Sequence, residues 1–285
     1  MHLTTRFVAG VAARDGAGAV AEALSSLGPE GWVLDRTLPP ALYELCVERT
    51  AGSVLAIEGP CPSTKASLAR LSSLDRDESK TAVTAAAETA RRAEALGARY
   101  LIVALGTVGS LESEWPTLRR WYQRGELGRT RARQAETARE SAGRPSVDAA
   151  LRALEQLLAV TEDAGLVLLV ENARRPVDVP SPKELDRILG ELEGAPIAPL
   201  YDAPRTLLAD DFGIWPSALV EAACASAPLV YVGDGCGPIA GLPPGRGVLD
   251  VAAQRARLSN TTEQAFAPWP GLTVPEISRA LRAWQ

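Results

Sequence analysis

Three carboxylates in the second half of the chain stand where chemistry is possible. Glu171, Asp202 and Asp234 each close an aliphatic run (LVLLVE, PIAPLYD and LVYVGD), and they follow one another at intervals of 31 and 32 residues. That interval is about one strand-plus-helix unit, so the three acids occupy equivalent strand ends. In LYDAPRT a guanidinium, Arg205, follows Asp202 by three residues, with Pro204 expected to interrupt regular structure between them. Carboxylates grouped in this way bind a hard divalent cation through oxygen or act as paired acid and base. Arginines beside them open a second possibility, in which Arg and Asp pair with each other and close the site. From the residues alone both readings stand.

Alternation of short β-rich runs with Ala- and Leu-rich segments defines the frame that must position these groups. Strands are expected at 4–9, 31–35, 53–58, 99–105, 166–172, 196–202, 228–234 and 263–267. Ser181-Pro182-Lys183-Glu184 is a capping box with Pro at the first helical position. Stripes at helical spacing run from Ala82 to Leu96 and from Val147 to Leu158, closed by Gly97 and Gly165. Further helices fit 17–27, 39–49, 215–225, 249–257 and 274–284. Eight strands and eight helices in 285 residues predict a single (β/α)8 TIM barrel over 1–285, with an insertion after strand 4 at about 108–146. An open doubly wound sheet is the structural alternative, but no G-x-G-x-x-G follows strand 1.

Barrel active sites lie at the C-terminal ends of strands. That rule gathers Arg14 and Asp15, Asp35 and Arg36, Glu58, Thr107, Glu171 and Asn172, Asp202 and Arg205, Tyr231 and Asp234. The glycine-rich Gly233–Gly237 offers backbone N–H groups for phosphate, with Arg246 as a nearby cation, or it is simply a tight loop.

Composition excludes several classes. A net charge of −5 argues against nucleic acid as a partner, and no apolar run reaches membrane-spanning length. The run FVAGVAA (7–13) is followed at once by Arg14 and Asp15 and reads as a first strand rather than a leader. Four scattered cysteines without a C-x-x-C suggest reduced thiols and a cytoplasmic protein. His2 is the only histidine, which removes a Ser-His-Asp triad and leaves no base to activate a thiol. Eight arginines within 108–146, interleaved with Trp121 and Tyr122, read as a solvated helix or the contact face of a homodimer.

Several stretches together resemble the sugar-phosphate isomerase/epimerase family of xylose-isomerase-like TIM barrels: 71–103, LVLLVEN (166–172), LYDAPRT (200–206), LVYVGD (229–234) and PPGRGVLD (243–250). The resemblance implies a Mn²⁺ or Mg²⁺ ion held by a Glu after strand 5, an Asp after strand 6, a His after strand 7 and a Glu after strand 8. It implies enediolate chemistry, with the two Glu residues as acid and base. Glu171 and Asp202 match the first two ligands. Tyr231-Val-Gly-Asp234 departs from the family's H-x-x-D, Asp202-Ala-Pro-Arg205 departs from D-x-x-H, and no Glu follows strand 8, where Glu263 stands too early. The expectation is a divergent member with an incomplete metal site, holding no cation or a weakly bound one. Its expected substrate is a small sugar or hydroxy-keto compound. Glu171, Asp202 and Arg205 would be catalytic, and Glu58, Asn172, Tyr231, Asp234 and Arg246 would bind substrate. The second expectation is a catalytically silent barrel that binds a ligand or a partner. The DNA-repair endonuclease branch, with its many metal-binding histidines, is not matched.

Overall fold

The computed structural model describes residues 1–126 and 128–284. Eight parallel strands close into a barrel in chain order: β1 (His2–Thr4), β2 (Trp32–Leu34), β3 (Val54–Gly59), β4 (Tyr100–Val103), β5 (Val167–Glu171), β6 (Ile197–Asp202), β7 (Leu229–Val232) and β8 (Glu263–Phe266). β8 pairs with β1, with Ala265 opposite His2, so no edge is left open.

Side chains alternate along each strand, and the inward set forms an aliphatic layer of Val33, Ala56, Ile102, Leu169, Leu200, Leu229 and Ala265. Two residues further along β3, β5, β6 and β7 the same face carries Glu58, Glu171, Asp202 and Tyr231, all at most 3% exposed. The polar groups therefore stand on an apolar floor.

Around the barrel run α1 (Val8–Leu27), α2 (Pro40–Thr50), α3 (Arg76–Ala95), α4 (Trp115–Gln123), α5 (Arg129–Asp163), α6 (Pro182–Glu191), α7 (Ala203–Asp211), α8 (Ser217–Ala223), α9 (Val251–Arg257) and α10 (Val274–Trp284). Their boundaries follow local chemistry. Ser181 and Glu184 form the capping box of α6, whose Leu185 and Ile188 are buried. Gly97 and Gly165 take left-handed φ values of 67° and 66° just beyond α3 and α5, where a side chain would be strained. In α10, Ile277, Ala280, Leu281 and Trp284 bury one face at helical spacing.

Three expectations need correction. The first strand is His2–Thr4 rather than 4–9, and FVAGVAA is helical. The buried set Phe7, Val8 and Val11 has a helical period, which a short apolar run does not reveal. Arg14 and Asp15 therefore lie on α1 rather than at a strand end, and Arg14 donates to the carbonyls of Pro270 and Leu272. Pro204 does not interrupt structure: Asp202 caps α7, its Oδ1 accepting from the Arg205 amide, and Pro204 sits in the first turn, where no N–H is needed.

Between β4 and β5 the chain forms a 3-10 turn at Gly109–Glu114, then α4, then the 35-residue α5, which continues through Pro145. Tyr122 of α4 stacks on Phe212 and donates to Asp211, tying this segment to the end of α7. Arg139 of α5 is buried and forms a two-pronged pair with Glu184, and the same guanidinium donates to the Asp178 carbonyl.

Candidate functional site

Guanidiniums and carboxylates alternate around a closed ring at the C-terminal mouth. Arg6 Nη2 donates to Glu58 Oε1 at 3.2 Å, and Arg36 Nε donates to Glu58 Oε2 at 3.1 Å. Arg36 Nη2 reaches Glu171 Oε2 at 2.5 Å, while Arg205 Nη1 donates to Glu171 Oε1. Arg205 Nε lies 2.9 Å from Asp202 Oδ2, and Arg6 Nη1 is 3.9 Å from the same oxygen. Asp35 is appended to the ring, receiving Arg6 Nε at 3.0 Å, and the Tyr231 hydroxyl donates to Glu58 Oε1 at 2.7 Å. Asn172 Oδ1 accepts the Asp202 amide at 2.6 Å and joins the ends of β5 and β6.

Local sequence explains each placement. The Thr4 side chain accepts from the Arg6 amide, so the chain turns out of β1 and delivers Arg6 to the mouth. Arg36 follows Asp35, whose Oδ1 accepts from the Thr37 amide and hydroxyl. Arg205 occupies the first turn of α7 and folds back over its own N-cap. The carboxylates Glu58, Glu171 and Asp202 lie beneath guanidiniums whose side chains are 12–21% exposed.

Electrostatics separate the carboxylates. Burial favours the protonated form of Glu58, but the charges of Arg36, Arg6 and Arg205 and the Tyr231 hydrogen bond outweigh it and lower its pKa to about 2. In Glu171 burial is likewise overcome, here by Arg205 and Arg36, and its pKa falls below the usual carboxylate range. Asp202 goes the other way. Burial prevails over Arg205 and Arg6, with Glu171 and Glu58 adding repulsion, and its pKa is raised. Asp202 Oδ2 is also buried without an aligned hydrogen bond, since the Arg205 Nε–H is close but not aimed at it. Tyr231 is held neutral by burial and by the Glu58 charge.

Of the residues singled out from sequence, Glu58, Glu171, Asn172, Asp202, Arg205 and Tyr231 meet here. Asp234 and Arg246 do not join them. Asp234 turns into its own loop, where its carboxylate accepts from the amides of Gly235, Gly247 and Leu249. Those amides are consequently not free to cradle phosphate, and Gly233–Gly237 belongs to a hairpin of Asp234–Cys236 with Ile239–Leu242. Arg246 is 61% exposed and lies 3.6 Å from Glu276. Arg6 is the residue that sequence reasoning missed, because it was placed inside a strand. The one available signal was Thr4, a residue that favours turning the chain at a helix start.

The donor set does not fit a resident divalent cation. Both oxygens of Glu171 accept from guanidiniums, and both oxygens of Glu58 do as well. Among the described residues no three or more His, Cys, Asp or Glu side chains are grouped to hold a metal ion. His2 and Glu263 pair with each other at 2.7 Å at the start of β1 and β8, at the opposite end of the barrel from the ring.

Likeness to known proteins is structural. Neither a protein-family model nor a curated protein matches the sequence. A D-tagatose 3-epimerase-like protein superposes with a TM-score of 0.66 at 13% identity, over 99% of this chain and 94% of its own. The D-psicose 3-epimerase of Clostridium cellulolyticum H10, solved with D-tagatose, gives 0.62 at 12% identity over 99% and 95%. This is a xylose-isomerase-like TIM barrel. The xylose-isomerase-like barrel is not confined to sugar enzymes: endonuclease IV from Thermus thermophilus matches with a TM-score of 0.55 at 17% identity, over 100% and 96%. Identities this low establish the fold and leave the chemistry to the ring itself.

Proposed function

We propose that this protein is an isomerase of a small sugar or hydroxy-keto compound that works without a tightly bound metal. The observation that carries the reading is the occupation of both Glu171 oxygens by Arg36 and Arg205, which puts fixed positive charge against the carboxylates that a cation would otherwise share. A guanidinium stays protonated throughout the accessible pH range, so it serves as a permanent electrostatic partner.

Within this reading Asp202 handles the proton. Its Oδ2 has no aligned donor and its proton affinity is raised, whereas Glu171 and Glu58 are held as anions. Ionised Asp202 takes the proton from the carbon beside the carbonyl, and the C–H electron pair moves to form an enediolate. Arg205 and Arg6 stabilise the negative oxygen as it develops. The neighbouring hydroxyl proton passes to the former carbonyl oxygen, and Asp202 returns its own proton to the adjacent carbon. A single proton-handling carboxylate favours isomerisation over epimerisation, which needs groups on both faces of the carbon. Glu171, the base expected from sequence, instead orients Arg36 and Arg205. Substrate reaches Asp202 when the guanidiniums above it swing aside.

The test is turnover of a panel of aldoses and ketoses in D₂O with chelator present, followed by NMR. Solvent deuterium in the product that vanishes in Asp202→Asn supports the reading, and no exchange with any substrate overturns it. A second reading, a catalytically silent binding barrel, is supported by one feature: each ring carboxylate is already neutralised by a guanidinium. Ligand binding without exchange would favour it.

A further inference from the structure

One guanidinium at the mouth stands apart from the ring. Arg174 follows Glu171-Asn172-Ala173 in the loop after β5, and its Nη2 donates to the Pro238 carbonyl at 2.8 Å, across to the hairpin that follows β7. Arg6, Arg36 and Arg205 each touch at least two carboxylates, and the adjacent Arg175 pairs with Asp178 and Glu112. Among the described residues no carboxylate forms an ion pair with Arg174, and its side chain is exposed. Burial of its guanidinium against the loop and the nearby positive charges of Arg205 and Arg6 disfavour its protonated form, and Asp202 and Asp178 offset this only in part. Positive charge at the rim is thus under-compensated, and an incoming anion relieves it.

The surroundings also indicate which anion. Phosphate sites in barrels gather several backbone N–H groups, but the amides of Gly235, Gly247 and Leu249 in the facing loop are taken by Asp234. What remains is one planar guanidinium, whose fork matches the two oxygens of a carboxylate.

We propose that the substrate is a short polyhydroxy acid, whose carboxylate docks on Arg174 at the rim while its hydroxyl-bearing end enters the ring. The proposal rests on the small-molecule reading of the mouth. It names Arg174 as the residue that selects an acid over a neutral sugar.

The experiment is calorimetric titration of the whole chain with D-gluconate, D-sorbitol and D-glucose 6-phosphate at constant ionic strength, repeated on Arg174→Gln and Arg174→Lys. Circular dichroism and melting of the unliganded variants check that each is folded. The expected result is binding of gluconate in preference to sorbitol. Arg174→Gln should weaken gluconate binding by roughly tenfold to a hundredfold, the usual effect of removing a charged hydrogen bond, and Arg174→Lys should restore part of it. Equal binding of gluconate and sorbitol, no binding of gluconate, or an undiminished affinity in Arg174→Gln overturns the proposal. Stronger binding of the phosphate ester also overturns it, in favour of a phosphate site. Turnover of neutral ketoses without gluconate binding would remove this proposal and leave the isomerase reading standing. Arg174-dependent gluconate binding without any turnover would do the reverse.

Discussion

Tyr231 and Glu58 join opposite sides of the barrel: the β7 hydroxyl donates to the β3 carboxylate at 2.7 Å, on strands four places apart in the closed order. Both are buried, and Glu58 Oε1 shares this donor with Arg6. Tyr231→Phe keeps the ring's volume and removes one donor from an anion. The expected cost is about 1–3 kcal/mol in denaturant-induced unfolding, the range for hydrogen bonds to buried charged groups. A change under a few tenths would show that Arg6 and Arg36 suffice.

Glu171→Gln should leave the barrel folded and abolish turnover. It removes the charge between Arg36 and Arg205 while keeping an acceptor, so two guanidiniums face each other across a neutral amide. Far-ultraviolet circular dichroism should be unchanged and stability lower by about 3 kcal/mol, the lower end for breaking a buried ion pair. Full activity in this variant would contradict the role given to the ring.

Acid should unfold the protein through its ring. Glu58 has a folded pKa of about 2 against an ordinary value of 4.5. A depressed folded value contributes stability that is complete above the ordinary pKa and is lost as pH falls from about 4.5 towards about 2. Glu171 acts in the same sense. Asp202, with its raised pKa, opposes them, because protonating it relieves a buried charge. Melting temperature measured from pH 6 to pH 2 should fall most steeply below about 4.5, and Tyr231→Phe should move that fall to higher pH.

Adding Mg²⁺ or Mn²⁺ at millimolar concentration should not shift the melting temperature, since a ligand bound only to the folded state would raise it. Protein purified without chelator should carry less than one equivalent of divalent metal. A stoichiometric ion that protects against unfolding would sink the metal-free reading.

Arg139→Met should destabilise by about 3–5 kcal/mol, because it leaves Glu184 buried and unpaired against α5. The double variant Arg139→Met/Glu184→Gln should recover part of that loss. Additive effects in the cycle would show the pair to be energetically idle.

Much of the barrel was legible in the sequence because parallel strands covered on both faces are aliphatic runs that end abruptly in a polar residue. LVLLVE and LVYVGD advertise themselves in that way, and the spacing of Glu171 and Asp202 gave their equivalence. β1 escaped because only three residues of it pair, and the apolar run after it belongs to a helix. Pro204 misled because proline breaks a helix interior but suits its first turn. The ring was half visible. Its carboxylates stand at strand ends, but each arginine finds its partner by tertiary contact, Arg36 with Glu171 across 135 positions and Arg205 with Glu171 across 34. Asp234 looked equivalent to Asp202 by spacing, yet the glycines around it supply amides that draw its carboxylate away from the axis.

The aliphatic layer two residues beneath Glu58, Glu171, Asp202 and Tyr231 has a consequence for how such a barrel changes over time. Because Ala56, Leu169, Leu200 and Leu229 fill the interior below, exchanging a strand-end side chain disturbs charge without opening a void in the barrel. Fold and chemistry can then drift at different rates. A lineage could trade imidazole for guanidinium at the axis in single steps, each leaving a folded protein, and the architecture would outlast the reaction it once served.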